Sequence, residues 1–305
     1  MYGRLSPERS GWGREVAMQA HARPTVRRKR LGSELRRLRE AAAVSLQTAG
    51  QHIDGDKTKM SRIENGRQNI RPLELKALLT YYQVKDEALV AALLALHRQS
   101  KQAGWWQQYG DALKPDFQER LTLEADAVRL GAFQTMVVPG LLQTEDYAEA
   151  VMRGAGSSAS TDQIAELVRL RMERQAVFER AEPPQYICIL DEAVLHRRVG
   201  GRKVMIAQLR KLIELNERPL LSIQIVEYEQ GSYAGIDGSF TLYTYPDPME
   251  LDIVGLDYLD GALYLEDDAP VERYRTAFDQ LRAVALSSRQ TIDLISRIIR
   301  DLETH

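Results

Sequence analysis

The chain has 305 residues, 44% of them hydrophobic, a net charge of −2 and one cysteine. This length and apolar content allow two domains with cores of their own and exclude a disordered polymer. The lone Cys188 excludes an internal disulfide and fits a reducing compartment, and the longest apolar run, Ala88–Leu96, is nine residues where a membrane-spanning helix needs roughly 20. No apolar stretch near the N-terminus has the form of a signal peptide, so a cytoplasmic location is expected.

The near-neutral total hides a division of charge. Residues 1–72 carry 16 Lys and Arg against 7 Asp and Glu, while residues 73–305 carry 25 against 36. A basic N-terminal part attracts a polyanion, and an acidic remainder does not compete for the phosphates. Residues 1–26, rich in Gly, Ser, Arg and Pro, read as a flexible tail that runs into Arg27-Arg28-Lys29-Arg30. That run is either a solvated charge cluster or an arm for the DNA backbone or minor groove.

Helical signals follow in close order. Leu31, Leu35 and Leu38 recur at helical spacing, with Arg36, Arg37 and Arg39 on the opposite side. Ser45 can cap a short second helix through about His52, and Asp54-Gly55 makes a turn. Asp56 can cap a third helix from Lys57 to about Asn65, which would bury Met60 and Ile63 and end at Gly66. Pro72 suits the first turn of a fourth helix, and a fifth begins near Asp86. A short helix with one buried stripe, small polar and basic residues on its other face and an abrupt glycine stop suits the major groove.

Residues 31–84 resemble the lambda-repressor-like, XRE-type helix-turn-helix domain. The carriers are the segments Leu31–Arg39 and Ser61–Gly66. The resemblance implies that Lys57, Thr58, Ser61 and Arg62 reach base edges of double-stranded DNA. It places Lys59, Arg67 and Asn69 near the backbone. Such domains often begin helix 2 with a DNA-contacting Gln; here Leu46 holds that position and Gln47 follows it.

Beyond residue 100 the pattern is mixed. Residues 104–132 read as helical from an aromatic start, Trp105-Trp106, more suited to a core than to base stacking. Helices are expected over Gln143–Met152 and Ile164–Arg180, then a buried strand over Tyr186–Leu190 and helices near 191–198 and 201–216. Short strands follow at Leu221–Val226, Ser239–Tyr245, Leu251–Leu256 and Ala262–Leu265. Two terminal helices close the chain, the second opening on Ser287–Gln290 and presenting Ile292, Ile295, Ile299 and Leu302.

Glu124-Ala125, Val138–Thr144, Tyr147-Ala148, Arg171–Gln175, Asp191–Leu195 and Gly238–Phe240, together with Trp105-Trp106, resemble motifs of one group. These are actinobacterial XRE regulators with a large C-terminal domain of unknown function, often described as antitoxin-like. The resemblance covers roughly residues 27–303. It implies a regulator, dimeric, sometimes paired with a small partner protein. Asp257 stands where Glu is common in the group.

The densest set of reactive residue types is Cys188, Asp191, Glu192 and His196. A cysteine in a buried strand beside a surface Glu192–His196 pair explains it better than a metal or acid-base site. The Gly231–Gly238 segment is glycine-rich, but no helix follows it, so it reads as a mobile strand connection rather than a phosphate cradle. No enzyme, cofactor or metal is therefore expected.

The expected architecture is mixed: an all-α lambda-repressor-like helix-turn-helix domain over 27–100, then an α/β (α+β) domain over 101–305 with a small sheet flanked by helices. The expected function is that of a sequence-specific transcriptional regulator working as a homodimer. Its C-terminal part would dimerise through the isoleucine stripe of the last helix. It would also sense an effector, in a pocket between the strands and the helix at 164–180 near Gly231–Gly238, or bind a nearby-encoded small protein. The alternative is an antitoxin-like protein that mainly holds such a partner and autoregulates.

Overall fold

A computed structural model describes residues 26–99, 105–155, 159–246, 252–259 and 261–304. The tail expected over 1–26 lies, up to residue 25, outside them. The chain falls into two units divided at residues 101–102.

The first unit is a set of five helices: α1 (Val26–Ala41), α2 (Leu46–His52), α3 (Lys57–Glu64), α4 (Pro72–Tyr81) and α5 (Glu87–Gln99). Its core gathers Leu31, Leu35, Met60, Ile63, Leu75, Leu78 and Leu93, as apolar residues at helical spacing require. Two expectations change here. Arg27–Arg30 belong to α1 rather than to an arm, and Arg30 is itself buried. Arg39, expected on the solvated side of α1, is 8% exposed because it bridges to Glu64 of α3.

The second unit is built on a six-stranded sheet in the order β3-β2-β1-β4-β5-β6. The strands are β1 (Arg129–Gln134), β2 (Gln185–Asp191), β3 (Leu221–Val226), β4 (Phe240–Thr244), β5 (Ile253–Tyr258) and β6 (Gly261–Leu265). β1, β2 and β3 are parallel; β4, β5 and β6 continue the sheet antiparallel. Helices surround it: α6 (Pro115–Asp126), α7 (Glu145–Gly154), α8 (Thr161–Arg174), the single turn α9 (Ala193–His196), α10 (Arg202–Asn216), α11 (Asp268–Val284) and α12 (Ser288–Thr304).

One sheet face carries Phe133, Ile189, Phe240, Leu242 and Val254 and is sealed by Val271, Phe278 and Leu281 of α11. Phe278 lies so close that a Cβ at Gly131 would sit 2.9 Å from its ring, so a glycine is needed at that point of β1. The Gly231–Gly238 connection packs on this same face, where the Tyr233 ring meets Phe133 edge-on at 5.8 Å.

Three further expectations are corrected. Residues 129–132, read as the end of a helical stretch, form part of β1 at the centre of the sheet. The helix expected over Ile164–Arg180 ends at Arg174 and continues as a 3₁₀ turn over Gln175–Glu179. The isoleucine stripe of α12 is consumed within the chain: α12 packs on α10 and β3, leaving Ile295 fully buried and Ile299 8% exposed. That stripe is therefore not a free dimerisation surface. The Trp105-Trp106 pair meets edge-on, and Trp106 is core with Leu113, Leu121 and Leu170.

Candidate nucleic-acid interface

Local chemistry builds the helix pair α2–α3. The Ser45 hydroxyl accepts from the Thr48 amide at 3.0 Å, and the Asp56 carboxylate accepts from the Lys59 amide at 2.7 Å, so both helices start on satisfied caps. Between them Asp54 adopts φ 51°, a left-handed conformation that Asp tolerates. Gly50 sits where the helices cross, and a Cβ there would collide with the Asp56 carbonyl. At the far end Gly66 takes φ 67°. Its amide donates to Ile63 O at 2.9 Å and the Arg67 amide to Arg62 O at 2.8 Å, the two bonds of a Schellman stop.

Those constraints decide which way α3 faces. Met60 and Ile63 are buried, at 0% and 2% exposure, so Thr58, Ser61 and Arg62 point away from them, while Lys57 lies one turn before Met60 at the exposed start of the helix. Lys57, Thr58 and Arg62 are exposed, as are Gln47 at the start of α2 and Arg67 and Asn69 beyond α3. Ser61 is half-buried, and its backbone carbonyl accepts from the Asn65 side chain at 2.7 Å. Lys59, expected near the DNA backbone, donates its ammonium to Ile53 O at 3.0 Å and pairs with Glu74 of α4 at 2.8 Å. These two bonds tie α3 to the end of α2 and to α4.

Orientation of α3 depends on a buried ion pair that periodicity alone does not reveal. Arg39 of α1 donates to Glu64 from Nε at 2.6 Å and from Nη2 at 3.1 Å, and to Val44 O from Nη1 at 2.9 Å. The neighbouring carboxylate keeps the Arg39 guanidinium above its ordinary range. A Cβ at Gly32 would strike the Ile63 and Glu64 carbonyls, so α1 touches the end of α3 directly. The signal in the sequence was the polar Glu64 beside Ile63, readable only once both sides of α1 were placed.

In the second unit, Cys188 is fully buried in β2 and its thiol is pushed up by burial. Asp191 accepts from the Tyr233 hydroxyl and the Ala193 amide, while Glu192 accepts from the Tyr228 amide and faces His196 at 3.1 Å. Among the described residues, no three of His, Cys, Asp and Glu stand close enough to hold a metal ion. No helix of the described residues is long and apolar enough to cross a membrane.

A cavity of about 470 Å³ opens on the sheet face away from α11, between β1, β2, β4 and α6 and α8. It lies between the strands and the 164–180 helix, as expected, but across the sheet from the Gly231–Gly238 connection. Segments quoted above for their resemblance meet on its wall. Arg174 donates to Glu124 at 2.6 and 2.5 Å, Arg171 to the Gln143 amide oxygen at 2.8 Å, and Gln175 to the Gly140 and Gln143 carbonyls at 3.1 and 2.8 Å. Arg120, Tyr243 and Tyr264 complete the charged and aromatic environment, and nothing in the sequence singled them out.

Comparison with known families gives two matches. Residues 30–93 match a helix-turn-helix domain, and residues 117–297 match the domain of unknown function DUF5753. The chain belongs to the DUF5753 family. No curated protein and no solved structure matches it. The DUF5753 match takes in the whole six-stranded sheet and every segment that lines the cavity wall from α6 through α8 beyond residue 117. The helix-turn-helix match takes in α2 and α3 with the helices that brace them, and points to DNA binding.

Proposed function

We propose that this DUF5753 protein is a sequence-specific, DNA-binding transcriptional regulator that reads the major groove with α3. The observation that carries the reading is a doubly capped α3 whose buried side is fixed by Met60 and Ile63, leaving Lys57, Thr58 and Arg62 exposed together. Arg62 reads a guanine through its O6 and N7 acceptors, which a guanidinium fork matches. Thr58 and Ser61 contact neighbouring base edges. Arg67, Asn69 and Gln47 set the register on the phosphates.

Arg62→Ala lowers operator affinity by about 1–3 kcal/mol and relaxes preference at one position per half-site. Arg67→Ala weakens specific and random duplexes alike and lowers the salt slope by about one. Binding measured on both duplexes across a salt series separates the two. Equal losses from Arg62→Ala on operator and random DNA would falsify the base-reading role.

A single module of this size covers few base pairs, which supports a homodimer on a two-fold site. With the α12 stripe buried in the chain, the contact surface belongs elsewhere on the molecule. Full-length protein sediments as a dimer at micromolar concentration; a monomer that binds the operator with full affinity would count against dimerisation. The motif resemblance supports placing the protein with antitoxin-like regulators, whose C-terminal part senses a ligand or a small partner. Such a signal shifts operator affinity of the full chain and leaves residues 27–100 unaffected, because it acts only by favouring one arrangement of the whole molecule.

A further inference from the structure

The cavity in the DUF5753 unit is lined by four cationic side chains, Lys114, Arg120, Arg171 and Arg174, against three carboxylates, Asp116, Glu124 and Asp257. The strong bonds are already allotted. Glu124 is held by both nitrogens of the Arg174 fork, and Asp257 pairs with Arg120. Arg171 is left with a neutral partner, the Gln143 side-chain oxygen at 2.8 Å. The Nε atoms of Arg171 and Arg120 are buried and have no hydrogen-bond partner among the described residues. A buried donor left unmade costs free energy, and a buried cation without a counter-charge costs more.

The rest of the lining agrees in sign. Burial, with Arg174 and Arg120 nearby, pushes Arg171 down to about 10, which leaves it cationic at neutral pH. Burial also pushes the Tyr243 hydroxyl up to about 12 and Tyr186 well above its ordinary value, so both keep their protons and add no negative charge to the lining. Gly140 gives the arginines room: a Cβ there would come within 3.1 Å of Arg174 Nη1. Ala132, Val138 and Leu141 supply apolar wall. A space of about 470 Å³ is within the range of small-molecule sites.

We propose that this cavity binds a small molecule bearing an oxyanion, a carboxylate or a phosphate, which is held by Arg171 and Arg120. Two arginine forks with unmade N–H donors are suited to either group, since both present paired acceptor oxygens. The proposal deepens the sensing part of the regulator reading and rests on it only for its consequence; ligand binding itself is measured without DNA.

The test is calorimetric titration of the full-length chain with succinate, inorganic phosphate and the neutral succinamide. Saturable binding of succinate or of phosphate, with none of succinamide, is the expected result. Succinate alone assigns a carboxylate ligand, and phosphate alone a phosphorylated one. Arg171→Gln weakens the bound anion by about tenfold or more, and Arg171→Lys, which keeps the charge but not the fork, falls between. Arg120→Gln, on a different helix, weakens it as well and serves if Arg171→Gln does not fold. No saturable binding of either anion by the unaltered chain overturns the proposal, as does unchanged affinity in the folded arginine variants. Loss of the DNA-binding reading would leave this titration untouched, and a blank titration would leave α3 and its operator untouched.

Discussion

Glu64→Ala lowers the stability of the N-terminal unit by about 3–5 kcal/mol, the range for breaking a buried ion pair from one side. The Arg39 and Glu64 side chains are 9% and 4% exposed, so water cannot replace the lost carboxylate. The truncation leaves the buried guanidinium with only the Val44 carbonyl and the exposed Glu40 carboxylate at 3.3 Å. Because the pair sets how α1 braces α3, operator affinity falls with stability, whereas Arg62→Ala touches affinity alone. The double variant Arg39→Met/Glu64→Leu recovers much of the loss, since an apolar pair of similar volume removes both charges together. Amide hydrogen exchange over residues 26–99 of the full chain reads the N-terminal unit without interference from the second. A loss below about 1 kcal/mol, the value of an exposed pair, would sink the assignment.

Glu124→Ala destabilises the C-terminal unit by a similar amount, about 3–5 kcal/mol. Arg174 and Glu124 are 8% and 6% exposed and share two bonds, and the guanidinium also lies over the Phe117 ring at 5.7 Å. Without the carboxylate, three arginines face the cavity beside only Asp116 and Asp257. The added repulsion is offset by an anion in the cavity, so millimolar succinate or phosphate stabilises Glu124→Ala more than the unaltered chain. Trp105 and Trp106 lie in this unit, and Trp106 packs with Leu121 and Leu170 of the same helices as Glu124 and Arg174. Urea unfolding followed by their fluorescence therefore reports the right transition. Unfolding midpoints within error of the unaltered chain would show that water, not Glu124, satisfies Arg174.

The N-terminal unit was almost wholly readable from the chain because its determinants are local. Ser45 and Asp56 cap helices three residues away, Pro72 opens one, and Gly66 stops one. The pattern that buries Met60 and Ile63 also decides which residues of α3 stay exposed. Two positions escaped that logic. Arg39 and Lys59 look like surface cations from spacing, yet each is claimed by a carboxylate distant in sequence, Glu64 and Glu74.

In the C-terminal unit the apolar runs of β2 and β3 identified themselves, but β1 did not. As the central strand it is buried on both faces and shows no alternation, and Gly131 dilutes its apolar character. The chain alone determined that α12 has an apolar stripe; only packing decided that α10 and β3 cover it instead of a second subunit. The cavity lies furthest from sequence reading. Its arginines come from α6 and α8 and its tyrosines from β2, β4 and β5, segments joined only when the sheet order β2-β1-β4-β5 brings them together. Caps, turns and stripes act over a few residues and leave a trace in the sequence. A charge left without its counter-charge is a property of the assembled three-dimensional neighbourhood, and only the tertiary structure decides it.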